Sequence, residues 1–272
     1  MPARKRKQNP IQLPMSVKAL WDERELPSRG PKPALSAEQI ARAAIAVADA
    51  EGLDAVSMQR IAREVNVTTM ALYRYFSSKE ELIDRMIDSA GGRLPPRISG
   101  AQGWRQRLVE WTRACSSIYR DHPWFLQAAT ARRRVMGPNE LAWFDVALSA
   151  LRDVGLVGSE QMGAFHVLIG HVRSQAEFHA GEAKGLYAEQ WVRITMELAA
   201  KHPERYPALV SAIESGAFTQ PTNDGDGFGL ECLLDGIESL ARKRRKRKLS
   251  VASQSERPGR EGLARTRPSP VS

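Results

Sequence analysis

The sequence predicts an all-α protein with a small three-helix head and a larger helical body. Apolar residues recur three and four positions apart through most of residues 35–242, which is typical of helices with one buried face. Alternating runs of Val, Ile and Thr, which would indicate strands, do not occur in residues 101–240. Glycine and proline pairs divide the chain into segments of helical length. The 272 residues allow one large or two modest domains.

Residues 1–34 are predicted to form a flexible basic arm, in which a short helical turn between Val17 and Glu25 is compatible with the sequence. Six prolines interrupt any long helix there. The arm carries a net charge of +5 and residues 241–272 carry +9, which leaves −5 on the segment between them. Both ends therefore attract polyanions, although a solvated leader without a partner is an equally good interpretation of the arm.

The first helix is predicted over Ser36 to Glu51. Ser36 and Gln39 have the spacing of a capping box, in which each side chain bonds the other residue's backbone N–H. Apolar residues follow at helical spacing, and Gly52 supplies the C-terminal stop.

Residues 57–79 have the pattern of a helix-turn-helix. A short apolar helix begins after the capping residue Ser57 and ends near Val65. Asn66 follows, and asparagine tolerates the left-handed conformation that a sharp turn requires. Thr68 can cap a second helix that runs to about Tyr75 and directs Leu72 towards the core.

The second of these helices has an unusual surface of hydroxyls, aromatic rings and guanidinium instead of the common mixture of Glu, Lys and Gln. Such side chains can bind phosphates and base edges in a DNA major groove. The predicted DNA contacts are Ser57, Thr68, Thr69, Met70, Tyr73, Arg74, Tyr75 and Lys79. The alternative is a plain helical hairpin in which Tyr73 and Tyr75 are packing residues.

A fourth helix is predicted to begin at the second capping box, Ser78 to Glu81. Its apolar residues from Leu82 to Ile87 point inward. Gly91-Gly92 and Pro95-Pro96 end it and mark a domain boundary.

The segment from Leu35 to Asp88 resembles the DNA-binding domain of the TetR family of transcriptional regulators. The resemblance rests on the order of the helices, on the recognition-helix sequence Leu72 to Phe76 and on Lys79 to Leu82, which opens the next helix. Asn66 stands where the family most often has glycine. The resemblance implies a homodimer that binds palindromic double-stranded DNA, with a fourth helix that links the reader to a ligand-responsive body. The basic arm, through Arg29 and Lys32, would then be able to enter the adjacent minor groove.

The body is predicted to be all-helical, with no motif that identifies a ligand. The predicted helices cover about 102–120, 123–134, 138–154, 159–181, 187–201 and 227–242. Their length and spacing are similar to the C-terminal domain of tetracycline-repressor-type members, which implies a pocket for an unknown small-molecule effector. The residues that could line it are Trp104, Trp111, Phe125, Trp143, Phe165, His166 and Arg173. Because ordinary core packing explains each aromatic residue better than a ligand contact does, none is assigned to an effector site.

The last helix has more apolar positions than one protomer can bury, namely Phe228, Leu230, Leu233, Leu234, Ile237 and Leu240. The resemblance implies that this helix and residues 159–181 pair with their copies across a two-fold axis. The basic segment 242–248 is predicted to be too charged to pack, so residues 243–272 are expected to form a disordered tail.

The sequence favours neither a membrane protein nor an enzyme. No apolar run reaches 18 residues, and the first ten residues lack the apolar core of a secretory signal. Cys115 and Cys232 form neither a metal motif nor a disulfide framework, which suits a reducing cytoplasm. No nucleophile motif, phosphate loop or pair of catalytic acids is present, so neither an enzymatic activity nor a cofactor is expected.

Two weak metal patterns point to no metal site. His166, His171 and His179 are 5 and 8 residues apart, whereas zinc-binding pairs on a helix favour 3 or 4. Asp224 and Asp226 provide only half of a calcium loop. The latter segment is expected to be a loop that leads into the last helix.

The predicted organisation is therefore a basic arm (1–34), a helix-turn-helix DNA-binding domain (35–94), a helical effector-binding and dimerisation domain (101–242) and a basic tail (243–272). The function expected is sequence-specific transcriptional regulation, as a repressor that an effector releases from its operator. A DNA-organising protein without a ligand switch is the first alternative. A helical bundle that binds no DNA is the second, and it would bury the 68–76 surface.

Overall fold

The computed structural model describes residues 17, 20–21, 35–131, 135–182, 187–217 and 225–255. These residues contain twelve α-helices and no strand. Most of the arm lies outside them, but Val17 and Leu20 are buried and the Leu20 carbonyl accepts a hydrogen bond from Arg85 at 3.0 Å. The prediction of a flexible arm is thus wrong at these positions, because two apolar side chains three residues apart pack on the head.

The head contains four helices and a single 3-10 turn. They are α1 (Ala37–Glu51), the 3-10 turn (Leu53–Ala55), α2 (Met58–Glu64), α3 (Thr69–Tyr73) and α4 (Lys79–Gly91). Their apolar faces enclose one core, in which Ile40, Ile61, Leu72 and Leu82 have no exposed surface. Burial of four such side chains stabilises the head by about 1.5–3 kcal/mol each.

The turn between α2 and α3 has the predicted geometry. Asn66 has a φ of 54°, and the N–H of Val67 donates to the carbonyl of Ala62 at 2.9 Å. Ala62 is buried, so its small side chain allows the backbone to pass close by. These two residues fix the angle at which α3 leaves α2.

The capping box predicted at Ser36 is confirmed, whereas the one at Ser78 is only half formed. Ser36 and Gln39 bond each other's backbone N–H at 2.8 and 3.1 Å. Ser78 caps α4 through the N–H of Glu81 at 3.3 Å. The Glu81 carboxylate instead binds the N–H and hydroxyl of Ser77, both at 2.6 Å. An additional hydroxyl donor at Ser77 offers that carboxylate two bonds instead of one.

The body begins at Pro96 and packs its helices side by side. It comprises α5 (Pro96–Ser99), α6 (Gly103–Asp121), α7 (Trp124–Thr130), α8 (Pro138–Asp153), α9 (Ser159–Glu182), α10 (Tyr187–Lys201), α11 (Pro207–Glu214) and α12 (Gly225–Ser255). Helices α6, α8 and α9 form its centre, and α12 lies along α9. The sequence did not predict α5 and α11, since each is too short to show a helical period, although a proline opens both.

The basic segment after residue 242 is helical, contrary to prediction. Helix α12 continues to Ser255. Arg244 forms an ion pair with Glu160, and Arg245 donates to the Val154 carbonyl at 3.2 Å. Long arginine stems can cover a surface while their guanidinium groups reach acceptors, so charge alone did not prevent packing. The prediction for residues 256–272 lies outside the described residues.

Candidate nucleic-acid interface and interior cavity

Helix α3 exposes two large side chains that the head leaves without packing partners. Met70 is 75% exposed and Tyr73 is 46% exposed. Leu72 and Phe76 on the opposite face are buried. The amphipathic pattern alone would have placed polar residues at 70 and 73, so an apolar and aromatic surface there indicates contact with another molecule.

The two capping hydroxyls beside this surface already accept one backbone bond each. Ser57 accepts from the N–H of Arg60 at 3.1 Å, and Thr68 accepts from the N–H of Ala71 at 3.2 Å. A hydroxyl has one donor and two acceptor positions. Both residues are exposed, so each O–H can still donate to a phosphate oxygen while it caps its helix.

Tyr75 departs from the predicted contact set. Its ring is half-buried, and its hydroxyl donates to the carbonyl of Leu35 at 2.9 Å. This bond ties α3 to the chain just before α1. The predicted outward orientation of Tyr75 is therefore wrong, and the residue belongs to the packing of the head.

Positive charge borders α3 at three described positions, Arg63, Arg74 and Lys79. A fourth cation, Arg60, is paired with Glu51 at 2.9 Å and with Glu64. Lys79 is the first residue of α4, where a positive charge opposes the helix dipole and costs about 0.3–1 kcal/mol. A cation at an unfavourable helix position beside an apolar surface suits an anionic partner.

The body contains a partly open cavity of about 270 Å³ that lies between α6, α7, α8 and α9 and reaches the end of α4 at Gly91. Six aromatic residues line it: Trp111, Tyr119, Phe125, Trp143, Phe144 and Phe165. Of the residues that the sequence singled out, Trp111, Phe125, Trp143, Phe165 and Arg173 line the cavity. Trp104 packs elsewhere against the core, and His166 is exposed on α9.

The aromatic rings form two groups with edge-to-face geometry. Phe165 contacts Phe144 at 4.6 Å and Trp111 at 5.9 Å between ring centroids. Tyr119 contacts Phe125 at 5.3 Å with the ring planes 79° apart. These contacts hold the walls in place, since such pairs are worth about 0.5–1.5 kcal/mol beyond their buried area.

The guanidinium group of Arg173, the carboxylate of Glu140 and the hydroxyl of Tyr119 provide most of the polar character of the cavity. The Nε of Arg173 is buried and has no hydrogen-bond partner. Burial raises the pKa of the Tyr119 hydroxyl, and its hydrogen bond with Arg173 opposes part of that rise. Burial also raises the pKa of the Cys115 thiol, so this side chain remains neutral.

The cavity touches the head through a joint that sequence analysis did not identify. The buried Asp88 near the end of α4 accepts hydrogen bonds from the N–H groups of Asn139 and Glu140 at 2.9 and 3.1 Å. N–H groups of the first turn of a helix have no partner within that helix, so Asp88 caps α8 across separations of 51 and 52 residues. Trp143 on α8 adds a bond from its indole N–H to the Gly92 carbonyl at 3.0 Å.

The joint requires close approach of the two helices. A Cβ atom at Gly137 would lie 2.2 Å from a carboxylate oxygen of Asp88. Burial raises the pKa of Asp88, and the two backbone bonds oppose that rise. A glycine just before a helix and a distant aspartate carry no local signal that links them, which is why the sequence did not reveal the pair.

A second contact holds the head to the body at the end of α1. The Asp49 carboxylate accepts a hydrogen bond from the indole N–H of Trp124 at 2.6 Å. It also lies 2.8 Å from Nδ1 of His122. The ends of α1 and α4 are therefore both attached to the body, one at Trp124 in α7 and the other at the start of α8.

The outer face of α9 and α12 is apolar in the single chain. Val167 and Phe178 on α9 are 50% and 51% exposed, and Phe228 and Leu240 on α12 are 77% and 60% exposed. Leu230, Leu234 and Ile237 are buried against the protomer's own body. Large apolar residues that remain on one face of two adjacent helices indicate a protein interface.

Two other kinds of site do not occur in the described part of the chain. No three His, Cys, Asp or Glu side chains in these residues come together as metal ligands would. None of the helices described combines the length and apolar character needed to cross a bilayer.

Comparisons with known proteins also identify a DNA-binding head and a regulatory body. Residues 40–86 match the family described as bacterial regulatory proteins, tetR family, and residues 96–241 match the tetracyclin repressor-like C-terminal domain. The chain is similar to the HTH-type transcriptional repressor DrrR1 of Streptomyces coeruleorubidus, with 37% identity over 238 residues that cover 85% of this chain and 87% of the relative. It is also similar to an HTH-type transcriptional regulator of Saccharopolyspora erythraea, with 26% identity over 82% of this chain and 92% of the relative.

Solved structures share the fold. Apo ActR from Streptomyces coelicolor superposes with a TM-score of 0.67 at 23% identity, over 79% of this chain and all of that one. ActR in complex with actinorhodin gives 0.64 at 24% identity, over 77% and 99%. The helix-turn-helix head, the helical body and the match of the C-terminal domain over more than half of the chain lead to one assignment: this protein belongs to the TetR family of bacterial transcriptional regulators.

Proposed function

We propose that the chain is a dimeric repressor whose two α3 helices bind a palindromic operator and that a small molecule in the body cavity releases it. The observation that carries the proposal is the exposed α3 surface around Met70 and Tyr73. The name of the relative with 37% identity, a transcriptional repressor, supports the direction of regulation. Such a regulator would act in the bacterial cytoplasm, where operator DNA lies.

The proposed DNA contacts divide into two classes. Thr69, Met70 and Tyr73 face the base edges, where a threonine methyl or methionine can contact a thymine methyl and a hydroxyl can bond a base. Ser57, Thr68, Arg74 and Lys79 bind phosphate oxygens and fix the register of α3 in the groove. Tyr75 is left out, because its hydroxyl already bonds the Leu35 carbonyl.

The proposed dimer forms through α9 and α12. A two-fold axis beside these helices would cover Val167, Phe178, Phe228 and Leu240 with their copies, and a self-complementary patch is what such an axis requires. Between the large residues on α12 stands Gly236, where an added Cβ would meet open space. A small residue at that position allows the helix of a second copy to approach closely.

The proposed effector site is the aromatic cavity. Its lining of rings with a few polar groups is the usual composition of a small-molecule pocket. Structures of ActR, which has the same fold, contain actinorhodin and (S)-DNPA. A DNA-organising protein without a ligand switch would need no such space, so the cavity favours the ligand-released repressor over that alternative.

The proposed route of release runs through the Asp88 joint. Glu140 and Trp143 line the cavity and also belong to the part of α8 that binds Asp88 on α4 and Gly92 just after it. A ligand that prefers a shifted α8 would therefore move α4 and change the separation of the two α3 helices. Only a ligand with different affinity for the two arrangements can shift the equilibrium between them.

Selection of duplexes from random DNA with the full-length chain tests the proposal. We expect one palindromic sequence bound about 10³-fold or more tightly than unrelated DNA at about 0.15 M salt, where the Debye length is about 8 Å. Binding without sequence preference would support the DNA-organising alternative. Absence of DNA binding would support a helical bundle with another partner.

A further inference from the structure

We infer that the cavity takes a planar aromatic molecule of two or three fused rings that carries an acidic oxygen, a carboxylate or an ionised phenol, bound by the Arg173 guanidinium. The inference rests on the proposed function, because it names the chemical class of the effector. The volume, the aromatic walls and the charge of the cavity each support it.

The volume limits the ring system. Pockets for drug-sized ligands are about 300–1,000 Å³, and this cavity of about 270 Å³ lies just below that range. Two or three fused rings fit such a space. A larger system would require the walls to move.

The walls favour flat, unsaturated ligands. Phe144, Phe165 and Trp111 line the cavity and meet edge to face, and aromatic walls of this kind favour stacked or edge-on contact with a flat ring system. The edge contact between Tyr119 and Phe125 adds a second aromatic wall. A saturated ligand of the same volume would lose the stacking energy that these walls offer.

The charge of the cavity favours an anion. Arg173 Nε is buried without a partner, and Arg173 forms no ion pair with a carboxylate in the part of the chain that the structure describes. Arg173 as a whole is only half-buried, but a donor N–H that is shielded from water and has no acceptor is costly. An acidic oxygen of the ligand would supply both the missing acceptor and the missing charge, in the geometry that a guanidinium group binds best.

The remaining polar groups do not supply that counter-charge. The Tyr119 hydroxyl is kept neutral by burial, and Cys115 is a buried neutral thiol. Glu140 also lines the cavity, but its carboxylate accepts from the N–H of Gly137 at 3.3 Å and forms no ion pair with Arg173 among the described residues. A cationic aromatic ligand could stack on the tryptophan rings, but Arg173 in the same cavity would repel it.

Three probes with one ring system test this inference: anthraquinone-2-carboxylate, anthraquinone-2-carboxamide and 2-(aminomethyl)anthraquinone. Trp111 and Trp143 line the cavity, so quenching of tryptophan fluorescence in the full chain reports binding. We expect the carboxylate to bind at least tenfold more tightly than the carboxamide and the amine to bind most weakly. Equal affinity for carboxylate and carboxamide, or a preference for the amine, would overturn the inference.

Substitutions identify the residue that is responsible for the preference for the carboxylate probe. Arg173→Met should abolish the tenfold preference for the carboxylate. Arg173→Lys keeps the positive charge and should keep part of the preference, so it is the control for a folding defect in the methionine variant. Arg120→Met removes an exposed arginine next to Tyr119 on α6 and should change nothing. A carboxylate preference that survives Arg173→Met would contradict the assignment of Arg173.

Operator release by the same probes separates the two proposals. Binding with the acid preference but without release of DNA would leave the ligand class standing and refute the effector mechanism. Release by the carboxamide as strongly as by the carboxylate would refute the ligand class and leave the effector mechanism standing.

Discussion

The head and the body present their sites in opposite ways. The head displays its candidate surface on a five-residue helix and holds it by caps that lie within four residues, such as Thr68 with Ala71. The body hides its cavity among helices whose contributing residues run from Gly91 to Arg173. The first site is local in sequence and lies on the surface, whereas the second is assembled from residues far apart in sequence and lies between helices.

This difference determines which property a substitution at each site affects. A surface residue on α3 can be changed without disturbing the core, so its loss affects binding alone. The cavity and the Asp88 joint share residues with the packing between α4 and α8, so a change there alters stability and coupling together. Four substitutions and one cross-linking experiment test this difference between the head and the body.

The largest expected effect is at the joint. Gly137→Ala places a Cβ 2.2 Å from the Asp88 carboxylate, which forces the carboxylate away from the free N–H groups of α8. We expect the free energy of unfolding to fall by roughly 3 kcal/mol, in the range for a lost cap plus buried unsatisfied donors. Urea denaturation measures it. Gly100→Ala, at a right-handed helical position with a Cβ contact of 3.4 Å, is the control and should cost little; equal effects would mean that Gly137 has no special role.

The next effect is on the head and should leave stability unchanged. Tyr73→Ala removes a 46% exposed ring, and we expect operator affinity to fall by about 1–3 kcal/mol with the unfolding free energy unchanged within about 0.5 kcal/mol. Tyr206→Ala removes a tyrosine of similar exposure, 40%, from the body. Fluorescence anisotropy with labelled operator compares the two, and a loss of affinity in the Tyr206 variant alone would reverse the assignment of the surfaces.

A smaller effect separates phosphate contacts from base contacts. Lys79→Ala should weaken binding to specific and unrelated DNA by the same factor and reduce the slope of log affinity against log salt by about 1. The same variant should stabilise α4 by a few tenths of a kcal/mol, about the cost of a cation at a helix N-terminus. Lys201→Ala, at the exposed end of α10, is the matched control. A loss confined to the specific operator would show that Lys79 contacts a base instead.

The smallest effect is the pH dependence of the joint. Burial raises the pKa of Asp88 in the folded chain, so the folded state binds this proton more tightly than the unfolded state does. The stability of the wild type relative to Asp88→Asn should therefore be highest below the ordinary aspartate pKa of about 3.9. It should fall as pH rises to the raised value and be constant above it. Urea titrations of both proteins across this range measure the difference, and a difference that rises with pH would contradict the direction of the shift.

The sequence predicted the head more completely than the body for a physical reason. The Ser36 capping box, the left-handed Asn66 and the exposed Tyr73 follow from interactions within a few residues, which composition and spacing record. Tyr75 was predicted to face outward because its bond to Leu35, 40 residues away, leaves no local trace. The same limitation hid the Asp88 cap on α8.

The resemblance implied a pocket in the helical body, but the sequence could not assign the residues that line it. Aromatic residues at helical spacing are common in any core. The sequence could therefore name Trp111 and Phe165, but it could not show whether they line a cavity or only pack in the core. The basic end of α12 was predicted to be disordered from its charge alone. Its contacts with Glu160 and Val154 depend on α12 lying along α9, which is a tertiary property.

The most direct test of the account places a photo-reactive benzoylphenylalanine at position 70, in place of the 75% exposed Met70, and irradiates the full-length chain on its selected operator. We predict cross-links to bases within each half-site, and none from the same group placed at the exposed body residue Leu141. An absence of cross-links from position 70, while the operator remains bound, would contradict a recognition helix lying in the major groove.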